Sequence, residues 1–147
     1  RYEILGKTRT RGIEIELNGA LTRNWQVSAS YATARVVDQN GQRTLSHLPQ
    51  QTVKLFTTRR FAGPWNPLTV GGGVSWQSAI SGGGLFNYTQ GSMALVNLMA
   101  RYEVDKHLAV SLHLTNALDK RYYSSVMSNY GTYGAPRNLI LSAKYSF

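Results

Sequence analysis

Carboxylates and histidines are the side chains of this sequence that could catalyse a reaction or hold a metal. Glu14 and Glu16 stand two residues apart, as a pair of acid and base carboxylates could. Three histidines, His47, His107 and His113, are scattered and accompany no nucleophile-elbow motif. The chain has no cysteine and no metal-ligand spacing. We therefore expect neither an enzyme nor a resident metal or other cofactor, and we expect Glu14 and Glu16 to face arginine or lysine side chains.

The run Gly71-Gly72-Gly73 has the composition of a phosphate-binding loop but not its chemistry. No Lys-Ser or Lys-Thr pair follows it, and it lies inside a segment with strand periodicity. Glycine within a strand marks either a close approach of other backbone or a local curvature of the sheet. Both interpretations stay open for this run.

The elements that carry these residues are predicted to be strands. Seven segments, most of them near ten residues, place apolar side chains at every second position and polar ones between. The predicted strands are Arg11–Ala20, Trp25–Arg35, Gln51–Phe61, Leu68–Ser78, Met93–Val104, His107–Asn116 and a last strand over Arg137–Phe147. Each strand therefore has one apolar and one polar face.

Short and long connections alternate strictly along the chain. The short ones cover residues 21–24, 62–67 and 105–106, and the long ones cover 36–50, 79–92 and 117–136. A soluble sandwich has no reason to sort its loops in this way, whereas an outer-membrane barrel has short periplasmic turns and long extracellular loops. Aromatic residues at strand ends fit the two interfacial girdles of such a barrel, with Trp25, Phe61, Tyr102, Tyr145 and Phe147 on the short-turn side and Trp76, Tyr122 and Tyr123 on the other.

Charge and composition agree with a membrane protein better than with a nucleic-acid-binding one. The net charge is +9 over 147 residues, but the lysines and arginines are spread along the chain instead of forming a patch. Arg59 falls on an apolar face, where it is tolerated because it stands close to a short turn and can reach the interface. We expect no nucleic-acid partner.

Several motifs resemble those of TonB-dependent outer-membrane receptors, in the order of that family. Residues 114–123, with the sequence LTNALDKRYY, resemble its Asn-Leu-Phe-Asp-Lys-x-Tyr-Tyr motif, although Ala117 and Leu118 replace the usual Leu-Phe. Residues 133–138, YGAPRN, resemble the opening of its last strand, and Arg11-Gly12-Ile13-Glu14 resembles its Arg-Gly-x-Glu. The YGAPRN version is most similar to receptors for ferric hydroxamate and related siderophores.

The resemblance implies an all-β fold, namely about seven antiparallel strands of a larger transmembrane β-barrel. Residues 1–147 are then expected to be the C-terminal segment, with the earlier strands and the plug upstream. The implied location is the outer membrane of a Gram-negative bacterium. The implied partners are a ferric siderophore, the TonB complex through the plug, outer-membrane lipid and lipopolysaccharide, and the barrel assembly machinery through the C-terminal Phe147.

The implied activity is the active import of an Fe(III)-siderophore chelate. Receptors of this kind line their outer pocket with aromatic residues, and the candidates here are Phe86, Tyr88, Tyr130 and Tyr133 in two long loops. Packing of one loop on another is the structural alternative for each residue. Two alternatives remain for the whole chain, a passive porin-like channel and a soluble β-sandwich that binds a ligand.

Overall fold

The strands follow from the alternating pattern described above. The computed structural model describes residues 6–83 and 88–147. Within these residues the strands are β1 (Arg9–Thr22), β2 (Trp25–Val37), β3 (Gln51–Arg60), β4 (Leu68–Gln77), β5 (Ile80–Ser81), β6 (Thr89–Gln90), β7 (Met93–Glu103), β8 (Leu108–Thr115), β9 (Tyr123–Val126), β10 (Gly131–Tyr133) and β11 (Asn138–Tyr145). A short 3-10 helix covers Gly63–Trp65. No helix in the described part of the chain is long and apolar enough to cross a bilayer.

Seven of the strands form one antiparallel sheet in which each strand pairs with its neighbours along the chain. The order is β1-β2-β3-β4-β7-β8-β11, and the two remaining pairs, β5 with β6 and β9 with β10, are separate small hairpins. All seven predicted strands are thus confirmed, with bounds that differ by two residues or fewer.

The register places apolar residues of neighbouring strands beside one another. Val70 stands opposite Ala100, which stands opposite Leu112, and Leu112 in turn stands opposite Leu141. Leu98 and Leu112 remain 47% and 39% exposed, so this apolar face is not packed against other protein within the described residues. An extended sheet with one bare apolar face must have that face covered by lipid or by another apolar surface, because burying it is a main source of stability.

The polar face holds a shared cleft of about 390 Å³ across β1, β2, β3, β4 and β7. Its polar lining residues are Glu14, Glu16, Ser28, Ser30, Lys54, Ser75 and Asn97. These are the side chains that the period-2 pattern assigned to the polar face. Within the described residues neither glutamate forms an ion pair, and Glu16 instead accepts a hydrogen bond from the Asn18 amide at 2.8 Å.

Gly71 and Gly73 make room for neighbouring side chains on this polar face. A Cβ on Gly73 would lie 2.6 Å from Cδ2 of Phe56, and one on Gly71 would lie 2.8 Å from Cγ2 of Thr58. The Phe56 side chain can therefore lie against the next strand because that strand has no side chain at Gly73. These contacts are with side chains of the neighbouring strand, so the close approach of other backbone and the local curvature of the sheet both stay predictions.

The short-turn end of the apolar face is rich in aromatic contacts. The Trp25 indole donates to Oγ1 of Thr57 at 2.7 Å, and the Thr57 hydroxyl donates to the Gln26 carbonyl at 2.9 Å. The Arg59 guanidinium lies 5.7 Å from the centre of the Trp25 ring. Polar groups on this face are thus satisfied locally, and Arg59 lies beside an interfacial ring as its sequence position predicts.

Candidate functional site

The long connections are more ordered than their composition indicates. The stretches 79–92 and 117–136 contain the hairpins β5–β6 and β9–β10, which the sequence analysis did not predict. The first long connection binds the β5–β6 hairpin, because Ser46 and Ser81 exchange two hydrogen bonds of 2.9 and 2.8 Å. Of the described residues, Ile80, Met93 and Val126 are among the few that are buried, and Val126 has no exposed surface. The small core of the described chain therefore lies mainly at its long-connection end.

Asn116 fastens the longest connection to the sheet. Its Nδ2 donates to the carbonyls of Lys120 and Ala135 at 2.9 and 3.1 Å, and its Oδ1 accepts from the Lys120 N–H at 2.9 Å. Its own N–H donates to Oδ1 of Asn97 at 3.0 Å. The side chain is 4% exposed and the backbone has φ of +48°, a conformation that asparagine tolerates better than most residues.

Asp119, like Asn116, binds a distant backbone group, which here lies just before the last strand. It has φ of +50°, and its Oδ1 accepts the N–H of Arg137 at 2.9 Å. Asn116 and Asp119 are two of the residues on which the family resemblance rests. Their side chains hold both ends of the connection between β8 and β11, which explains why the motif needs these two residue types.

An aromatic cluster joins the two small hairpins. It consists of Tyr88, Tyr123 and Tyr133, and we call it the tyrosine cluster. The rings of Tyr123 and Tyr133 stack with centroids 4.7 Å apart, and Tyr88 meets Tyr123 edge to face at 6.1 Å. The side-chain oxygen of Gln90 also accepts the N–H of Tyr123 at 2.8 Å. The cluster thus connects β6 with β9 and β10.

Two hydroxyls of the tyrosine cluster, those of Tyr123 and Tyr133, form a hydrogen bond with each other. The Tyr123 hydroxyl donates to the Tyr133 hydroxyl at 3.3 Å. This hydrogen bond, together with desolvation and the neighbouring phenols, raises the pKa of Tyr123 above its ordinary value. Tyr123 is therefore a neutral phenol at physiological pH, and the cluster presents flat apolar rings with polar tips.

A cleft of about 440 Å³ opens beside Tyr133. It is lined by Asp119, Lys120, Arg121, Tyr122, Tyr133, Gly134 and Pro136. The Tyr122 ring lies so close over Gly134 that no side chain would fit there. The lining combines two cations and two aromatic rings with one carboxylate, Asp119, so it carries a net positive charge and suits a planar ligand that carries negative charge.

The four predicted ligand-binding residues are not equivalent in the structure. Tyr88 and Tyr133 come together in the tyrosine cluster, through Tyr123. Tyr130 lies at the tip of the β9–β10 hairpin, where its carbonyl accepts the Met127 N–H at 2.8 Å and its side chain is 57% exposed. Phe86 lies outside the described residues.

Tyr123 was missed as a site residue because its position next to Tyr122 suggested an interfacial girdle. The available signal was the turn-forming pair Ser128-Asn129 between two short segments. The three histidines do not assemble into a site. His107 stacks on Tyr145 at the short-turn end, His113 stands opposite Met99 in mid-sheet, and His47 lies in a long connection.

Comparison with known proteins places this architecture in one family. The family described as "TonB dependent receptor-like, beta-barrel" matches residues 1–117, which is most of the chain. The chain belongs to this TonB-dependent receptor family. Its seven-stranded sheet is therefore a segment of an outer-membrane β-barrel of a Gram-negative bacterium, with the apolar face toward lipid and the polar face toward the lumen.

Relatives within the family include siderophore receptors. The chain is 47% identical over 146 residues to a ferric-pyoverdine BN7/BN8 receptor of Pseudomonas putida, covering 99% of the chain and 18% of that protein. It is 35% identical to the ferripyoverdine receptor of Pseudomonas aeruginosa, covering 96% of the chain and 18% of the receptor. The crystal structure of a P. aeruginosa ferripyoverdine receptor bound to ferripyoverdine superposes with a TM-score of 0.87 at 34% identity, covering 95% of the chain and 20% of that structure. The chain thus spans about a fifth of the length of these relatives.

Proposed function

We propose that the full-length protein is an active transporter for a ferric siderophore, energised through TonB. The observation that carries the proposal is the tyrosine cluster with its neighbouring cationic cleft at the long-loop end of the barrel wall. Flat rings and cations there suit an Fe(III) chelate with aromatic or anionic groups. The 47% and 35% identical relatives are named as ferric-pyoverdine receptors, so ferric pyoverdine is the first chelate to test. Recognition of a hydroxamate-type chelate stays a prediction.

In this proposal the segment supplies barrel wall, ligand-binding loops and an assembly signal, and it carries out no chemical reaction. The candidate ligand-binding residues are Tyr88, Tyr130 and Tyr133, together with Tyr123 from the structure and Phe86 from the sequence. Iron arrives already held by the siderophore, so the protein needs no iron ligands of its own. A plug in the upstream part of the protein closes the lumen and recruits TonB.

Uptake of radioactive iron tests this function directly. We expect cells that express the full-length receptor to import ferric pyoverdine, and we expect import, but not binding, to stop when TonB is deleted. Import that continues without TonB would contradict active transport. A steady open conductance of the purified receptor in planar bilayers would instead favour the porin-like channel.

We also propose that Phe147 is part of the signal for the barrel assembly machinery. Its side chain is fully exposed and its described ring contact is edge to face with Tyr145 at 5.2 Å, so it contributes little to packing. Deleting Phe147 from the full-length receptor should lower the amount of receptor in the outer membrane several-fold, measured as the heat-modifiable band of isolated membranes. A Phe147→Tyr variant keeps an aromatic side chain at this position and should insert normally. Equal insertion of the deletion variant and the wild type would argue against a signal at this residue.

A further inference from the structure

The first long connection is fastened to the second at two points. At one point the Ser46 hydroxyl donates to the Ser81 carbonyl at 2.8 Å, and the Ser81 N–H donates to the Ser46 carbonyl at 2.9 Å. At the other point the Ser78 hydroxyl accepts the N–H groups of Gln50 and Gln51 at 2.9 and 3.1 Å. We call Ser46 and Ser81 the serine pair. Its first hydrogen bond needs a hydroxyl at position 46, whereas its second joins backbone atoms and would form with other residue types.

The backbone just before the serine pair has an unfavourable conformation. Leu45 has φ of +53°, in the left-handed region that a leucine rarely adopts. Its side chain is 43% exposed, so burial does not compensate for this conformation. A residue of this kind persists where the surrounding structure fixes it. Here the Leu48 N–H donates to the Leu45 carbonyl at 3.0 Å, and the turn that this bond closes holds Ser46 against Ser81.

A short series of contacts leads from the serine pair to the tyrosine cluster. Ser81 precedes Gly82, whose N–H donates to the Tyr88 carbonyl at 2.8 Å. Gly82 also lies so close to the Met127 backbone that no side chain would fit there. Tyr88 in turn meets the Tyr123 ring edge to face. The position of Ser81 therefore affects where Gly82, and through it Tyr88, can lie.

We infer that Ser46 is a positioning residue for the siderophore site and acts through Ser81 on Tyr88. The first long connection, residues 36–50, contains no phenylalanine, tyrosine or tryptophan, so its contribution is to hold the β5–β6 hairpin where Tyr88 packs on Tyr123. A ring that is already in place loses less conformational entropy when a ligand binds, so the ligand is bound more tightly. The effect on affinity rests on the proposed siderophore-binding function, whereas the effect on the Tyr88 ring does not.

The environment of the Tyr88 ring in the full-length receptor tests the inference without any ligand. The probe is 3-fluorotyrosine placed at position 88 alone and observed by fluorine NMR in detergent. We expect Ser46→Ala to shift or broaden the resonance, because the hairpin loses a hydrogen bond, and Ser46→Thr, which keeps a hydroxyl, to restore the wild-type resonance. Ser128→Ala, which removes an exposed hydroxyl in the β9–β10 turn, is the matched control and should leave the resonance unchanged. A wild-type resonance in Ser46→Ala would overturn the inference.

Titration with ferric pyoverdine measures the consequence for binding. We expect Ser46→Ala to raise the dissociation constant about threefold to tenfold, and Ser46→Thr and Ser128→Ala to bind like wild type. In a receptor that already carries Tyr88→Ala, Ser46→Ala should weaken binding no further, because the ring that it positions is absent. Equal losses in both backgrounds would show that Ser46 does not act through Tyr88, and would overturn the inference.

The two measurements distinguish a failure of this inference from a failure of the proposed function. A wild-type receptor that did not bind ferric pyoverdine would contradict that choice of chelate. The fluorine resonance of Ser46→Ala would still decide whether the serine pair positions Tyr88.

Discussion

Replacing Asn116 with alanine is expected to loosen the longest extracellular connection and lower the stability of the receptor by about 3 kcal/mol or more. The change removes three side-chain hydrogen bonds to Lys120 and Ala135 at a buried position. It also places alanine at a φ of +48°, which costs about a further 1 kcal/mol. The thermal unfolding midpoint of the purified full-length receptor measures the total effect.

Limited proteolysis shows where this loss of stability is located. Trypsin should cut after Lys120 or Arg121 faster in the Asn116→Ala variant than in wild type, because the Lys120 backbone loses its anchors. Asn116→Gly separates the two causes, since glycine accepts positive φ but cannot make the hydrogen bonds. Asn129→Ala, at an exposed position in the hairpin turn, is the matched control. A wild-type midpoint for Asn116→Ala would show that the hydrogen bonds contribute nothing to stability.

Changing Tyr88 and Tyr133 together to alanine is expected to weaken binding of the ferric siderophore about tenfold or more. Both rings contact Tyr123, and Tyr133 also lines the cationic cleft. The double change removes the apolar surface available to a chelate and leaves Tyr123 without its stacking partners. Fluorescence or calorimetric titration of the purified receptor with ferric pyoverdine measures the dissociation constant.

Three control variants make this prediction specific. The Tyr88→Phe/Tyr133→Phe pair keeps the rings and removes the hydroxyls, so wild-type affinity there would assign the effect to ring surface. Tyr130→Ala tests separately whether the exposed hairpin tip reaches the ligand. Asn129→Ala serves again as a neutral change in the same hairpin. An unchanged dissociation constant for the double alanine variant, with a normal amount of folded receptor, would remove the tyrosine cluster from the ligand site.

The strands could be predicted almost completely from the sequence because their two faces contact different solvents. A strand between lipid and a watery lumen must alternate at every residue, so Gln51–Phe61 was predicted for β3, which covers Gln51–Arg60. The same alternation assigned Ser75 and Asn97 to the polar face, where both line the shared cleft. Few soluble folds impose such a uniform pattern on their strands.

The extracellular end could be predicted only in part because periodicity does not determine its structure. The hairpins β5–β6 and β9–β10 are only two to four residues per strand, too short for a pattern to emerge. Asn116 acts through bonds to backbone groups at Lys120 and Ala135, and Tyr123 through the rings of Tyr88 and Tyr133, which are distant in sequence or lie in another strand. Contacts of this kind depend on tertiary placement, so the sequence identified Tyr88 and Tyr133 as aromatic candidates without the residue that joins them.

The neighbour-to-neighbour order of the main sheet has a consequence for how the wall assembles. Each pairing from β1 to β11 closes a connection of at most some twenty residues, so the entropy lost per step is small and each hairpin can add to the one before it. The closed barrel of the family requires one different step, in which its first and last strands, which lie at opposite ends of the barrel sequence, pair with each other. That single long-range closure is entropically the most costly step, and until it occurs the free edges of the unclosed sheet can pair with other chains. Assistance during folding is therefore most valuable at closure, and not while the hairpins of this segment form.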